Sequence, residues 1–178
     1  MNGSLRFVVV AAGLSLGVAA CADLVSGPTT PRRQITAHRE QLSSPQLLVC
    51  PNTQSQRVTG VVGLLGGVLS LGPTQIQIPA GAVLTPTLFE IVVPPSPYME
   101  VEIHAVGLAS FLFHAPTTVT IDFSRCGDAA PAGAVPLQAV YIDGETHAVL
   151  EQMGGVVDPV AHTVTFTTGH LSGYAVAY

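Results

Sequence analysis

The sequence predicts an all-β fold: an antiparallel β-sandwich that follows an N-terminal signal peptide and a flexible tether. Short segments rich in Val, Ile, Thr and Phe alternate with Gly, Pro and Asp at intervals of about 8–12 residues, a spacing typical of sandwiches and barrels. No segment after Pro45 keeps a helical period of apolar residues over about 12 positions. With 178 residues the chain is long enough for one domain with a hydrophobic core.

The beginning of the chain predicts export. Residues 5–20 are almost all apolar or small, in a stretch that is shorter and richer in glycine than the roughly 20 apolar residues of a membrane-spanning helix. Such a stretch is typical of a secretory signal peptide. It ends in Val18-Ala19-Ala20-Cys21. These four residues resemble the lipobox of bacterial lipoproteins, in which the cysteine thiol is lipidated and the preceding peptide bond is cut.

The lipobox resemblance implies a processed protein that is anchored by lipid. Residues 1–20 would be the signal peptide, and Cys21 the lipidation site through which the membrane holds the protein. Ala22 follows, whereas aspartate there is the usual signal for retention in the inner membrane. We therefore expect a cell-envelope protein, in the outer membrane on its periplasmic or surface face if the organism has two membranes. The alternative is an ordinary cleaved signal with a cysteine there by chance.

Residues 21–46 comprise the lipidated cysteine and a predicted linker. The turn-forming residues Gly27-Pro28, Pro31 and Ser43-Ser44-Pro45 interrupt this segment, and its few apolar residues cannot bury a helical face. We expect a flexible spacer that leads into a folded domain at residues 47–178.

Turn residues and apolar alternation predict the strands of the folded domain. Asp143-Gly144 is the strongest short hairpin signal and predicts a turn between strands at 137–142 and 147–151. Asp158-Pro159 predicts a second turn, and Pro116 is expected to begin a strand, where its missing N–H is harmless. The other main strands are predicted at Thr74–Ile78, Thr87–Val93, 101–108, 117–123, 163–167 and 170–178.

Two cysteines remain once Cys21 is assigned to lipid. Cys50 precedes the first strands, and Cys126 lies in the turn after the strand at 117–123. A single pair in an oxidising compartment is expected to form a disulfide. Closing a loop of about 75 residues would stabilise the fold by about 4 kcal/mol in the chain-entropy model. The alternative is two buried free thiols.

Three segments of the folded domain resemble the ZU-five domain, the β-sandwich module of ankyrins, netrin receptors and zona occludens proteins. Residues 66–71 and 76–83 read GGVLSL and IQIPAGAV, similar to the family's opening strand and its IPxGA corner. Residues 113–121 read FHAPTTVTI, and residues 169–176 read GHLSGYAV, which resembles the closing HFSxYAV strand. The segments occur in the family's order, and the resemblance implies a β-sandwich that takes part in protein–protein interaction.

The same resemblance implies an alternative function, self-cleavage. Some family members cut themselves within His-Phe-Ser, and this chain has His170-Leu171-Ser172 at the matching place. The hydroxyl of Ser172 would attack the carbonyl of Leu171, so that the peptide bond between them is replaced by an ester, and water would then hydrolyse the ester, with His170 assisting the proton transfer. Leu171 departs from the family's phenylalanine. We therefore predict that the protein is not an enzyme and keep self-cleavage at His170 and Ser172 as the alternative.

A second alternative is a ligand-binding or metal-binding module. Glu100, Glu102 and His104 alternate along one predicted strand, so they share a face, and two carboxylates with an imidazole could hold a divalent ion. Neighbours on one face of a strand are about 6.6–6.8 Å apart, which is loose for three ligands of one ion. We therefore predict no metal or cofactor and expect a solvated face. The residues expected to face inward are Val101, Ile103 and Ala105.

The charge balance excludes one class of partner. The chain has six basic residues, all of them arginine, against eleven acidic ones, and its formal net charge is −5. Nucleic-acid binding requires clustered basic residues, so no nucleic-acid partner is predicted. The prediction that covers these observations is a lipid-anchored envelope protein whose β-sandwich is a non-catalytic protein-interaction or structural module, with an unknown envelope protein as its partner.

Overall fold

The computed structural model of the chain describes residues 44–129 and 136–178. The predicted signal peptide, the lipidation site Cys21 and the predicted tether up to residue 43 lie outside these described residues. Thirteen strands and one short 3₁₀ helix at Ser124–Ala129 make up the described fold.

Two antiparallel sheets hold most of the strands, and the predicted all-β sandwich is confirmed. The larger sheet has six strands in the order β10-β9-β13-β7-β5-β2. The smaller has five strands in the order β11-β12-β8-β4-β3, and β1 pairs with β6 in a separate ribbon. The strands are β1 (Val49–Asn52), β2 (Gln56–Val62), β3 (Gly67–Leu71), β4 (Thr74–Ile78), β5 (Thr87–Val93), β6 (Ser96–Tyr98), β7 (Glu100–Ala105), β8 (Leu112–Asp122), β9 (Gln138–Ile142), β10 (Val149–Gly154), β11 (Val156–Asp158), β12 (Thr163–His170) and β13 (Gly173–Ala177).

The prediction that Pro116 begins a strand is wrong, because β8 starts earlier, at Leu112. Pro116 lies where the pairing of β8 with β12 is irregular, between Thr117 opposite Thr168 and Leu112 opposite His170. On its other side β8 pairs with β4 only from Thr118 to Thr120. The missing N–H of this proline is tolerated inside the strand because regular pairing stops beside it.

The two predicted hairpins are present. Strands β9 and β10 pair across residues 143–148, a turn that is longer than the two-residue turn indicated by Asp143-Gly144. The Asp143 carboxylate accepts hydrogen bonds from the backbone N–H groups of Glu145 and Thr146, at 3.2 and 2.8 Å. Strands β11 and β12 pair across the turn at Asp158. That carboxylate accepts the N–H groups of Val160 and Ala161, each at 2.9 Å.

The core lies between the two sheets. The residues of β7 alternate between this core and the opposite face, as predicted. Val101, Ile103 and Ala105 are buried, as the sequence predicts. Strand β13 is buried on both faces, with Tyr174 and Val176 in the main core. Its alanines lie in a second small cluster on the other face of the six-stranded sheet. That cluster consists of Val140, Ile142, Ala175 and Ala177, with Leu47 and Val149 packed against it.

The described fold begins with a backbone pairing to the last residue of the chain. The N–H groups of Gln46 and Tyr178 each donate to the other residue's carbonyl, both at 2.9 Å. Leu48 is fully buried and donates to the carbonyl of Val176 at 2.8 Å. Gln46, which we assigned to the tether, therefore already belongs to the folded body.

The predicted disulfide joins Cys50 of β1 to Cys126 in the 3₁₀ helix, with a Cα–Cα distance of 5.1 Å. Both residues are buried. The bond ties the first strand of the fold to the segment that follows β8, at a sequence separation of 76. The alternative of two free thiols does not hold.

We expect the Cys50→Ser/Cys126→Ser double variant to lower the free energy of unfolding by about 4 kcal/mol, because the unfolded chain would regain the freedom that the cross-link removes. Urea denaturation measures this loss. A reductant should destabilise the parent protein by a similar amount and leave the double variant unchanged. A double variant as stable as the oxidised parent would contradict the expectation.

Candidate functional site

The candidate functional site is a cleft of about 330 Å³ at the start of β13. It lies between the ends of the two neighbouring strands, β7 and β9, and the loop that precedes β8 closes one side. Glu102 and His104 line it from β7, Tyr141 lines it from β9, and Leu171 and Ser172 line it from the segment between β12 and β13. The cleft thus joins residues from both sequence alternatives, the metal group and the self-cleavage motif.

The cleft exists because β13 begins late. The sequence predicts a strand from residue 170, but β13 starts at Gly173, which pairs with Glu102. Ser172 makes the last contact with β7, since its carbonyl accepts the N–H of Ile103 at 3.0 Å. Leu171 then turns away and donates its N–H to the carbonyl of Phe111 at 3.2 Å. The end of β7 therefore extends past the start of β13 and leaves a gap.

Glu90 of β5 contacts the two nearest basic side chains, although neither functional alternative derived from the sequence includes it. The carboxylate oxygen Oε2 of Glu90 lies 2.8 Å from Nε2 of His104, and its Oε1 lies 3.7 Å from the guanidinium of Arg57. The three residues sit on adjacent strands in register, because Glu90 pairs with His104 and with Thr59, two residues from Arg57. Glu102 has no ion pair among the described residues, so its carboxylate remains available in the cleft.

The burial of Glu100 contradicts the prediction that this face of β7 is solvated. Its side chain is buried, with the residue only 6% exposed, because the loop between β9 and β10 folds over it. Nε2 of His147 in that loop lies 3.1 Å from Glu100 Oε2. That oxygen makes no aligned hydrogen bond, so the imidazole contacts the carboxylate without hydrogen-bonding to it. The ring of Tyr98 packs against the imidazole with centroids 5.2 Å apart.

The three residues of the metal-binding alternative share one face of β7 but have different surroundings. Glu100 contacts His147, His104 contacts Glu90, and Glu102 faces the cleft. In residues 44–129 and 136–178, no group of three His, Cys, Asp or Glu side chains is arranged to hold a metal ion.

The two residues of the self-cleavage motif also have different surroundings. The carbonyl of His170 accepts the hydroxyls of Tyr174 and Thr168 at 2.5 and 2.9 Å. Its imidazole packs on the ring of Tyr141, with centroids 5.2 Å apart, and its Nε2 lies 4.0 Å from Glu151 Oε2. Ser172 lines the cleft, and in the described part of the chain its hydroxyl has no side-chain hydrogen bond. To act as the general base, the imidazole of His170 would have to lie about 2.6–3.2 Å from the Ser172 hydroxyl oxygen, or act through one water.

Sequence reasoning missed Tyr174, Thr168 and His147. Tyr174 is fully buried, and its hydroxyl lies 3.1 Å from the Thr168 hydroxyl as well as next to the His170 carbonyl. The only signal for this group is a tyrosine on the inward face of the last strand, since a buried tyrosine hydroxyl requires a partner. His147 has φ = 56°, a left-handed conformation that is uncommon outside glycine but that histidine adopts more readily than most residues. No sequence spacing relates it to Glu100.

Comparisons with known proteins leave the family open. No protein-family model matches the chain, and no curated protein matches it significantly. The resemblance to the ZU-five domain therefore stays a prediction from sequence motifs. No helix within the described residues has the length and apolar character needed to cross a bilayer.

We expect His147→Asn to lower the free energy of unfolding by about 1–3 kcal/mol, because the buried Glu100 carboxylate would lose its nearest partner. Asparagine tolerates the left-handed backbone, so the loss reports the imidazole rather than strain. The control is the same change in a Glu100→Gln background, where no buried charge remains and the loss should be much smaller. A double-mutant cycle from urea denaturation gives the coupling, and equal losses in both backgrounds would contradict this pairing.

A pH dependence follows from the buried hydroxyl of Tyr174. Burial raises the pKa of Tyr174 to about 12, although the hydrogen bond with Thr168 acts in the opposite direction. Because this pKa lies above the ordinary tyrosine value of about 10, the stabilisation is complete below about pH 10 and is lost as the pH rises toward 12. We expect Tyr174→Phe to remove part of the alkaline loss of stability seen in the parent. Tyr98→Phe should keep the parent's dependence, and an identical pH profile for Tyr174→Phe would refute the assignment.

Proposed function

We propose that this protein is a lipid-anchored protein of the cell envelope and that its β-sandwich acts as a non-catalytic interaction module. The lipid would be attached at Cys21 after removal of residues 1–20, and residues 22–43 would connect it to the folded body. The motifs that resemble the ZU-five domain support an interaction role, although a shared fold alone does not fix function.

The observation that carries the proposal is the disulfide between Cys50 and Cys126. Disulfides persist in oxidising compartments and are rare in the cytosol. The resemblance of residues 18–21 to a lipobox and the disulfide are independent observations, and both are expected of a protein that is exported and then held at a membrane. The disulfide therefore supports export by an argument that does not use the signal peptide.

The cleft supports the interaction part of the proposal. Glu102, which has no ion pair among the described residues, lines the same cleft as Tyr141 and Phe111. A carboxylate next to aromatic rings suits a ligand group with a positive charge, such as a lysine or arginine side chain of a partner. The imidazole of His170 packs on Tyr141 and lies near Glu151, and no hydrogen bond of the described residues joins it to the Ser172 hydroxyl, which it would have to deprotonate in self-cleavage.

The test of the proposal is the fate of Cys21 in a bacterial host. We expect the full chain to be processed before Cys21, to incorporate labelled palmitate and to fractionate with membranes. Cys21→Ser should abolish labelling, while the matched variant Cys50→Ser should keep it because that cysteine lies in the folded body. A processed protein without lipid at Cys21 would overturn the proposal and leave the ordinary cleaved signal.

The intact mass of the same protein, measured after denaturation, distinguishes a binding module from a self-cleaving one. The proposal requires one product that still contains residues 172–178. A separate peptide of residues 172–178 that disappears in Ser172→Ala would establish self-cleavage instead.

A further inference from the structure

One end of the sandwich carries a group of exposed aliphatic side chains, which we call the apolar tip. Leu65, at the turn between β2 and β3, is 90% exposed, and Leu64 beside it is 58% exposed. The loop between β4 and β5 adds Leu84, which is 58% exposed. The rest of the apolar tip lies on adjacent strand ends and consists of Val61, Leu88 and Val106.

Backbone contacts bring these residues together. Val61 of β2 lies opposite Leu88 of β5, and the N–H of Val106 donates to the carbonyl of Leu88 at 2.8 Å. The three side chains thus form one row across three neighbouring strands. The N–H of Gly81 donates to the carbonyl of Leu64 at 2.8 Å, which joins the two loops of the apolar tip.

The turn that carries the two leucines is held in place by close packing. Gly66 has φ = 71°, and a Cβ atom there would lie 2.3 Å from the carbonyl oxygen of Ile78. Only glycine fits where these backbones approach so closely. The backbone of the turn that carries the two leucines is therefore closely packed at Gly66.

The segment that builds most of the apolar tip has no titratable side chain. From Val58 to Phe89 the sequence contains no Asp, Glu, Lys, Arg or His. Exposed apolar patches without charge mark surfaces that are covered in the functional state. The next row on the same face of the sheet carries polar groups, Thr59, Glu90 and His104, as the rim of a protein interface would. The two turns at the apex, which carry Leu64, Leu65 and Leu84, have no charge, and an uncharged apex fits a medium that is itself apolar.

We propose that the apolar tip inserts into the surface of a lipid bilayer. This inference rests on the proposed lipid anchor at Cys21, which would keep the body close to a membrane. Aliphatic side chains at the apex of a turn can enter the acyl region while the backbone remains at the level of the headgroups. Because the apolar tip carries no positive charge, this contact does not depend on anionic lipid, unlike the binding of basic segments.

The chain between the anchor and the body is long enough for this orientation. Ser44 lies near the end of β13 that is remote from the apolar tip, because Gln46 pairs with Tyr178. The longest strand, β8 with 11 residues, spans about 37 Å at about 3.4 Å per residue. The segment from Cys21 to Ser44 can extend to roughly 75 Å at about 3.3 Å per residue. The body can therefore turn its apolar tip toward the bilayer that holds its lipid.

The test uses the processed chain from residue 21 with Cys21→Ser, so that no lipid anchor contributes to binding. A single cysteine introduced by Leu65→Cys carries an environment-sensitive dye, and Val160→Cys is the matched control. Val160 is 91% exposed in the turn between β11 and β12, at the opposite end of β8 from the apolar tip. We expect vesicles of phosphatidylcholine to raise the emission of the dye at residue 65 severalfold and to leave the dye at residue 160 unchanged.

A second measurement avoids the dye. Flotation of the same chain with these vesicles should be insensitive to salt, and Leu64→Ser/Leu65→Ser should lower the partition coefficient by roughly a hundredfold, about tenfold for each leucine. Val160→Ser should bind like the parent. Equal emission changes at residues 65 and 160, or no flotation of the parent, would overturn the inference.

Dimers that form without lipid and that dissociate in Leu64→Ser/Leu65→Ser would also overturn it, since a second copy would then cover the apolar tip. These measurements use protein without lipid at Cys21. They can therefore fail while palmitate labelling succeeds, and the failure of the proposed anchor would be seen in the labelling alone.

Discussion

Between β12 and β13 the chain crosses from one sheet to the other. This crossing determines the shape of the cleft and of the strand ends around it. His170 ends a strand of the five-stranded sheet, and Gly173 begins a strand of the six-stranded sheet. Packed sheets lie about 10 Å apart, and three residue steps of extended chain span about 10 Å. Three residue steps are therefore just enough to cross from one packed sheet to the other. The buried hydroxyl of Tyr174 fixes one end of this connection by its hydrogen bond to the His170 carbonyl.

Several features follow from this short connection. Ser172 keeps a single backbone contact with β7, and Leu171 is drawn toward Phe111 in the loop that precedes β8. β7 therefore continues past the first residue of β13, and the cleft is the space next to this unpaired end of β7. The same connection determines the different surroundings of His170 and Ser172, since His170 ends a strand of the five-stranded sheet and Ser172 leads into β13, an interior strand of the six-stranded sheet.

The sequence predicts the fold class because strand alternation and turn residues are local signals. Thr74–Ile78 and Thr87–Val93 are found at the predicted bounds, since each begins and ends next to Pro or Gly turns. The disulfide could be predicted because only two cysteines remain in the folded domain. The extent of β8 could not, because the irregular pairing that accommodates Pro116 depends on two neighbouring strands at once.

The candidate site is predicted less well than the fold, for a physical reason. Alternation places Glu100, Glu102 and His104 on one face, and this is correct. What each side chain contacts depends on groups distant in the sequence, namely His147 for Glu100 and Glu90 for His104. Burial of Glu100 in particular arises from a loop that folds over the sheet, and the hydrophobic pattern of β7 contains no trace of that loop.

The disulfide also limits how the fold responds to mechanical force. A pull on the chain at Ser44 acts first on the backbone pairing of Gln46 with Tyr178 and of Leu48 with Val176. Once these bonds open, together with the contacts of Leu48 to Met99 and of Val49 to Tyr98, the chain is released up to Cys50. There the force passes through a covalent bond to Cys126, beyond the end of β8. Strands β2 to β8 lie inside the loop that this bond closes, so a steady pull from the N-terminal side lengthens the molecule by only a few residues before it meets resistance from a cross-link.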